Sequence, residues 1–257
     1  MGRRRVNGSA RRRPSLTSQV PADTAPERIT VGTDGSYWGD RALSWGAEHA
    51  RLRGAQLRVL HSATEDPVST LADASATSDL VVLGCRGRRH RLLGLGEAVL
   101  PTVAAAHCDV LVVRGTAAAQ RGENKRVIAM VSGGQNDVTV VEHAAAMANS
   151  HHARMEVLHA EPPTVMDDGV FAEKLRIEAL RRRITVTMVR TLPHDVIANS
   201  DGADLIVLGR GRSAGRPSNP GVVTKSALHH APCPVLVVHP RAPATQRTRV
   251  AGRPEMP

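Results

Sequence analysis

A phrase that occurs twice constrains this chain more than any other feature. Residues 78–87 read SDLVVLGCRG and residues 203–212 read ADLIVLGRGR. Each is an apolar run that stops at a loop of glycine and arginine. Each is followed by a second apolar run, DVLVV at 109–113 and PVLVV at 234–238. At an offset of 125 residues Asp79 falls on Asp204, Leu83 on Leu208, Gly84 on Gly209, Gly96 on Gly221 and Cys108 on Cys233. The leading parts overlay at an offset of 98, RITVGTDG (28–35) on RVIAMVSG (126–133) and LRVLHS (57–62) on MEVLHA (155–160). A repeat of this size is a unit of structure. The two offsets differ by 27, so the first unit lacks 27 residues in its middle.

The chain therefore divides into a basic tail (1–26), a first unit (27–115), a small polar linker (116–124), a second unit (125–240) and a Pro- and Arg-rich end (241–257), with both tails expected to be disordered. The second unit gives the fuller pattern. RVIAMVS, RMEVLHA, ITVTMVR, DLIVLG and PVLVV read as strands; QNDVTVVEHAAAMANSHH, FAEKLRIEALRRR and VVTKSALHHA read as helices, and LPHDVIANSDGA as a turn with a short helix. Short β-branched strands alternating with helices predict a parallel sheet covered on both faces, a doubly wound α/β fold. Only Tyr37, Trp38, Trp45 and Phe171 are aromatic. The core is then built of aliphatic side chains, as buried parallel strands are, and base stacking on aromatics is not available as a mode of nucleic-acid binding.

The first unit repeats this with an excision. Ser36 is placed to cap a helix over Tyr37–Arg53, Gly54 to end it, and Leu43, Ala47 and Ala50 to share one face. The missing residues match the second unit's helix and its ITVTMVR strand. The first unit is expected to have four strands, not five. The final strands DVLVV and PVLVV are edge candidates, and uncovered edges invite aggregation.

Six arginines in MGRRRVNGSARRRP account for more than half of the net charge of +10, so the basic excess belongs to the tail. That tail is a solvated extension, an over-long start, a segment resembling an organelle transit peptide, or a weak contact for nucleic acid. No apolar segment long enough for a membrane span occurs. Three cysteines without a CxxC pair fit a reducing cytoplasm.

In open parallel sheets ligands bind beyond the carboxyl ends of the strands. Thr33 and Asp34 stand at one such end. A carboxylate there suits an exocyclic amine or a ribose hydroxyl, although Asp34-Gly35-Ser36 is equally a turn that opens a helix. At a second end, Gly84, Gly87 and Gly96 allow backbone amides to face an anion, Arg86 and Arg88 add charge, and a helix starting near Glu97 adds its dipole. It is not a Walker loop, because no GK[ST] follows.

RITVGTDGSYWGDRALSWGAEHARLRGAQLRVLHS, SDLVVLGCRGR, AAHCDVLVVR, ADLIVLGRGR and HHAPCPVLVV together resemble the universal stress protein family in its tandem form, over nearly all of 27–240. The resemblance implies two tandem open-sheet domains of the adenine nucleotide alpha-hydrolase-like type. Many members bind ATP through a G-x2-G-x9-G-[ST] motif and an Asp after the first strand. Carried over, Asp34 meets adenine or ribose, and Gly84, Gly87 and Gly96 meet phosphates, with Mg²⁺ as companion ion. In the family the final strands pair between domains; here the two units are candidates to pair within one chain and so cover those edges, with a homodimer of chains as a further candidate. Departures accompany the match. Eight residues, not nine, separate Gly87 from Gly96, and Glu97 stands at the hydroxyl position. Two like unit charges about 4 Å apart repel by about 1 kcal/mol in water and about 4 near a protein surface. In the second unit Ser132 holds the Asp position, Gly209 and Gly211 are one residue too close, and Val222 follows Gly221, with Thr224 as a substitute hydroxyl. Pro217 and Pro220 remove two amide donors from the intervening loop.

The expected function is a cytoplasmic stress-response regulator of the ATP-binding class with degenerate sites, or a scaffold of the same fold that no longer binds nucleotide. No catalytic triad, paired carboxylates or general base is placed by spacing; slow ATP hydrolysis is the most an enzymatic reading supports. The histidines at 143, 151, 152 and 159, and His229, His230 and Cys233, lack zinc-site spacing. Cys108 and Cys233 read as core residues. Cys85, beside Arg86 and a helix start, has neighbours that can lower a thiol pKa, which offers redox sensing as a further role.

Overall fold

The computed structural model describes residues 26–61, 66–87, 94–131, 136–160, 185–189, 195, 197, 200–211 and 219–239. Arg88, Ser132, Pro217, the expected helix at 171–183 and both tails lie outside the described residues.

The first half runs β1 (Arg28–Thr33), α1 (Tyr37–Arg53), β2 (Gln56–His61), α2 (Pro67–Ser75), β3 (Leu80–Gly84), α3 (Val99–Ala105) and β4 (Asp109–Val113). The short helix α4 (Ala117–Gln120) occupies what reads in sequence as a plain linker. The second half runs β5 (Arg126–Val131), α5 (Asp137–Ser150), β6 (Arg154–Ala160), β7 (Thr185–Val189), β8 (Leu205–Gly209), α6 (Val222–His230) and β9 (Val235–Val238).

Among the described residues nine strands form one sheet in the order β2-β1-β3-β4-β9-β8-β5-β6-β7. Neighbours within each half are parallel, while β4 and β9 meet antiparallel, with Leu111 opposite Leu236. The expected four and five strands thus join back to back through their final strands, and both edge candidates end up in the middle. Strand side chains alternate between the two faces. Val81, Leu83, Val110, Val112, Ile206, Leu208, Val235 and Val237 enter one core with α3 and α6. Leu80, Val82, Leu111, Val113, Leu205, Val207, Leu236 and Val238 enter the other with α1 and α5.

Helix α1 starts and stops where its capping residues dictate. The Ser36 hydroxyl accepts a bond from the Gly39 amide, and Gly54, with φ 63, ends the helix by donating its amide to the Ala50 carbonyl. The buried face differs from the one the sequence suggested. Ala42, Trp45, Gly46, His49 and Ala50 are buried, whereas Ala47 faces solvent. The cause is the close approach of Gly46 to Val31, which sets the rotation of the helix on the sheet.

The seam between the halves is tied by polar groups that cross it. Asp109 accepts from the His239 amide at 2.9 Å and lies 3.0 Å from His143 Nε2 on α5. Arg114, just after β4, donates to the carbonyls of Ala227, Leu228 and His229 and so closes the C-terminus of α6. Where α1 meets α5, His49 Nδ1 lies 3.0 Å from His151 Nε2, and Trp45 stacks on both rings. Burial, then the nearby His151 and Arg53, push the His49 pKa down to about 3.

A neutral His49 in the folded chain and a titratable one in the unfolded chain make stability depend on pH. The contribution is complete above the ordinary value of 6.5 and is lost as pH falls from there to about 3. His151, lowered mainly by its own burial, acts in the same direction. Urea unfolding of the wild type should weaken over that window with a slope of up to about 1.4 kcal/mol per pH unit for one group. His49→Gln should flatten the slope; an unchanged slope refutes this account of the junction.

Candidate functional site

The end of β1 and the end of β3 lie side by side in the first half. Asp34 Oδ1 accepts the Ser36 amide at 3.0 Å, and Thr33 Oγ1 accepts the Gly35 amide, so the turn expected at 34–36 forms. The second carboxylate oxygen of Asp34 lies against Gly87: a Cβ on that glycine would stand 2.8 Å from Asp34 Oδ2. Gly84 lies under the first turn of α1, where a Cβ would come within 2.5 Å of the Trp38 backbone. Gly84 is thus required by close approach to backbone, whereas at Gly87 the neighbour is the end of the Asp34 side chain. The structure places Gly87 against Asp34, and Thr33 and Gly84 at the ends of the adjacent strands β1 and β3.

The rest of the expected cradle is built differently. The Gly96 amide donates to the Cys85 carbonyl at 2.8 Å, closing the loop on itself instead of facing a ligand. Arg86 Nε donates to the Gly94 carbonyl at 2.7 Å, so its side chain lies along the loop. Helix α3 begins at Val99 with no side-chain cap, two residues beyond the expected start at Glu97, and Glu97 is exposed. Cys85 is buried, and that burial raises its thiol pKa above the ordinary value against the opposing pull of Arg114 and Arg86. The charged neighbours on which the further redox role rested are thus outweighed by burial. Cys108 and Cys233 are core thiols, each pushed up to about 12 by burial.

The second half repeats the closure and goes further. The Gly221 amide donates to the Arg210 carbonyl at 2.9 Å, the counterpart of Gly96 and Cys85. Thr224 Oγ1, the candidate substitute hydroxyl, donates at 3.0 Å toward the carbonyls of Gly209 and Arg210 and is buried as a loop fastener. Val222 opens α6 with its side chain in solvent. Gly211, at φ 71, abuts Gly221. Arg210, which stands where the first half has Cys85, leaves its own loop altogether. It crosses the seam and donates to Ala104 and Ala106 at 3.1 and 2.6 Å, closing the C-terminus of α3.

Sequence reasoning missed Arg114, Arg210 and Asp109, all of which serve the seam. One signal was present: Asp109 opens a strand whose counterpart begins with Pro234. The twice-occurring aspartate also proves structural. Asp79 accepts the Arg28 amide, and Asp204 accepts those of Asn124 and Arg126, so each pins a first strand beside its neighbour at the end of the sheet opposite the glycine loop. Among the described residues no group of three or more His, Cys, Asp or Glu side chains is arranged to hold a metal ion. No helix among them is long and apolar enough to cross a membrane.

Removing the Arg210 guanidinium leaves two carbonyls at the α3 terminus without their charged donor. Arg210→Met should cost about 2 kcal/mol, which for a chain of this size lowers Tm by about 2–4 °C per kcal/mol. A melt indistinguishable from wild type contradicts the assigned role.

The sequence profile of the Universal stress protein family matches residues 26–78 and 173–239. Among solved structures, a universal stress protein from Archaeoglobus fulgidus superimposes with a TM-score of 0.64 at 16% identity, over 82% of this chain and 98% of that one. A functionally unknown protein from Pseudomonas aeruginosa superimposes with a TM-score of 0.63 at 16% identity, over 84% of this chain and 93% of that one. At such identities the likeness is one of fold. No curated protein sequence matches the chain.

Proposed function

Residues 26–78 and 173–239 belong to the universal stress protein family, and on that premise we propose a cytoplasmic stress-response regulator that holds adenine nucleotide, as ATP with Mg²⁺, in its first half alone. The observation that carries this reading is the contact of the Asp34 carboxylate with Gly87. An acceptor that favours amine or hydroxyl donors sits beside a backbone position that carries no side chain of its own. Asp34, Gly84 and Gly87 would hold the ligand. Gly96 contributes the closure of the loop, not an amide, and a divalent cation would offset the charge of Glu97 beside a polyphosphate. The role is binding, with occupancy as the signal, and no catalytic step is assigned. The cytoplasmic location rests on three free cysteines.

The second half supports the scaffold reading. Its counterpart groups are engaged in holding the fold: Arg210 at α3, Thr224 on two carbonyls and the Gly221 amide on Arg210. A ligand there would have to displace bonds already made.

Thermal unfolding of the full chain with ATP and Mg²⁺ tests the proposal, because a ligand that binds only the native state stabilises it by about 2.7 kcal/mol at a hundredfold excess over Kd. The wild type should shift upward in a saturable way. Asp34→Asn keeps the acceptor for the Ser36 amide and removes the charge; Gly87→Ala places a methyl against the carboxylate. Each should reduce the shift at least about tenfold in apparent affinity. No shift at millimolar ATP, or a shift that both variants retain, overturns the reading in favour of the scaffold.

A further inference from the structure

The shortening of the first half leaves a mark on the sheet. Strand β2 is an outer strand, and among the described residues nothing pairs with its free edge. Its counterpart β6 is flanked by β7, with Val157 opposite Val186. Val59 and Val157 occupy the same repeat position and the same register, beside Val31 and Ala129. Val157 is 1% exposed and Val59 is 45% exposed. Leu57, two residues earlier on the same face, is 38% exposed. These two are among five large apolar side chains exposed in the described residues, the others being Tyr37, Val138 and Val222, which lie apart from β2 in the chain. An open row of amides and carbonyls beside an apolar pair is a template for another strand.

We propose that a second copy of this chain occupies it: two β2 strands pair antiparallel about a two-fold axis through Val59, joining two nine-stranded sheets. The residues of the edge select this register. Residues directly opposite each other in a pair share a face. A pair centred on Arg58 would set one guanidinium against its copy, a like-charge opposition. Centred on Val59, the pair sets Val59 on Val59, Leu57 on His61 and Arg58 on Leu60. The apolar row meets its own copy, and no full charges of like sign stand opposite. The strand QLRVLH contains one arginine and no acid, so it has no alternating charge pattern that would select a charged foreign strand. The axis runs through the sheet, so both copies keep α1 on the same side. The other outer strand, β7, takes no part.

Sedimentation of the full chain over a range of concentrations should show a monomer–dimer equilibrium. Val59→Lys places two cations opposite each other and should raise the dimer Kd by about tenfold or more, with circular dichroism and Tm as in the wild type. Opposed residues of an antiparallel pair have Cα atoms about 4.5–5.5 Å apart, within disulfide reach. Oxidised Val59→Cys should therefore run as a covalent dimer, because the native cysteines are all buried, and Val138→Cys on α5 should not. A monomer at every concentration, a dimer that survives Val59→Lys, or equal cross-linking of the two cysteine variants overturns the proposal. A monomer that instead takes up a synthetic extended apolar peptide along β2 also overturns it and assigns the edge to a foreign strand.

Discussion

Strands β4 and β9 run antiparallel, and everything else in the molecule is arranged around that pair. Each belongs to a parallel half whose other strands point with it, and each would be an open edge in its own half. Facing one another they close both edges at once and make two small cores continuous across the sheet. The pair is short, with Val110, Leu111 and Val112 opposite Val237, Leu236 and Val235. Its strength comes from what is fastened on either side: Asp109 to His239 and His143, Arg114 to α6, Arg210 to α3, and the His49–His151 contact above.

That fastening divides the two glycine loops in their chemistry. Both loops close on themselves by the same amide-to-carbonyl bond, Gly96 to Cys85 and Gly221 to Arg210. In the first half the residue after the strand is a small buried cysteine, and the acid at Asp34 stays beside a bare glycine. In the second half the residue after the strand is an arginine drawn across the seam, and a threonine fills the space behind it. In the first half no arginine is drawn from the residue after the strand, whereas in the second half Arg210 serves the joint.

The parts of this arrangement that were legible in the sequence are those governed by local or periodic rules. Ser36 and Gly54 mark the ends of α1 by their own backbone chemistry. Alternating apolar runs name the strands, the matching phrases DLVVLG and DLIVLG predict the two halves, and the family resemblance implied the pairing of their last strands. The turn at Asp34 and its nearness to the glycine loop were legible as well. What escaped depends on partners far away in the chain. Arg210 meets α3 across 104 to 106 residues, and Asp109 meets His239 across 130. An arginine in a glycine loop reads as an anion ligand until the far helix end that it closes is known. Cys85 misled for a related reason: its charged neighbours are visible in sequence, but the burial that outweighs them is a property of the folded core.

The two halves differ in how their glycine loops are engaged, and the stoichiometry of ATP binding to the full chain tests the consequence most directly. Calorimetric titration with Mg²⁺ present should give one nucleotide per chain. Two per chain would show that the seam leaves the second loop free, and none would show that neither loop retains the site.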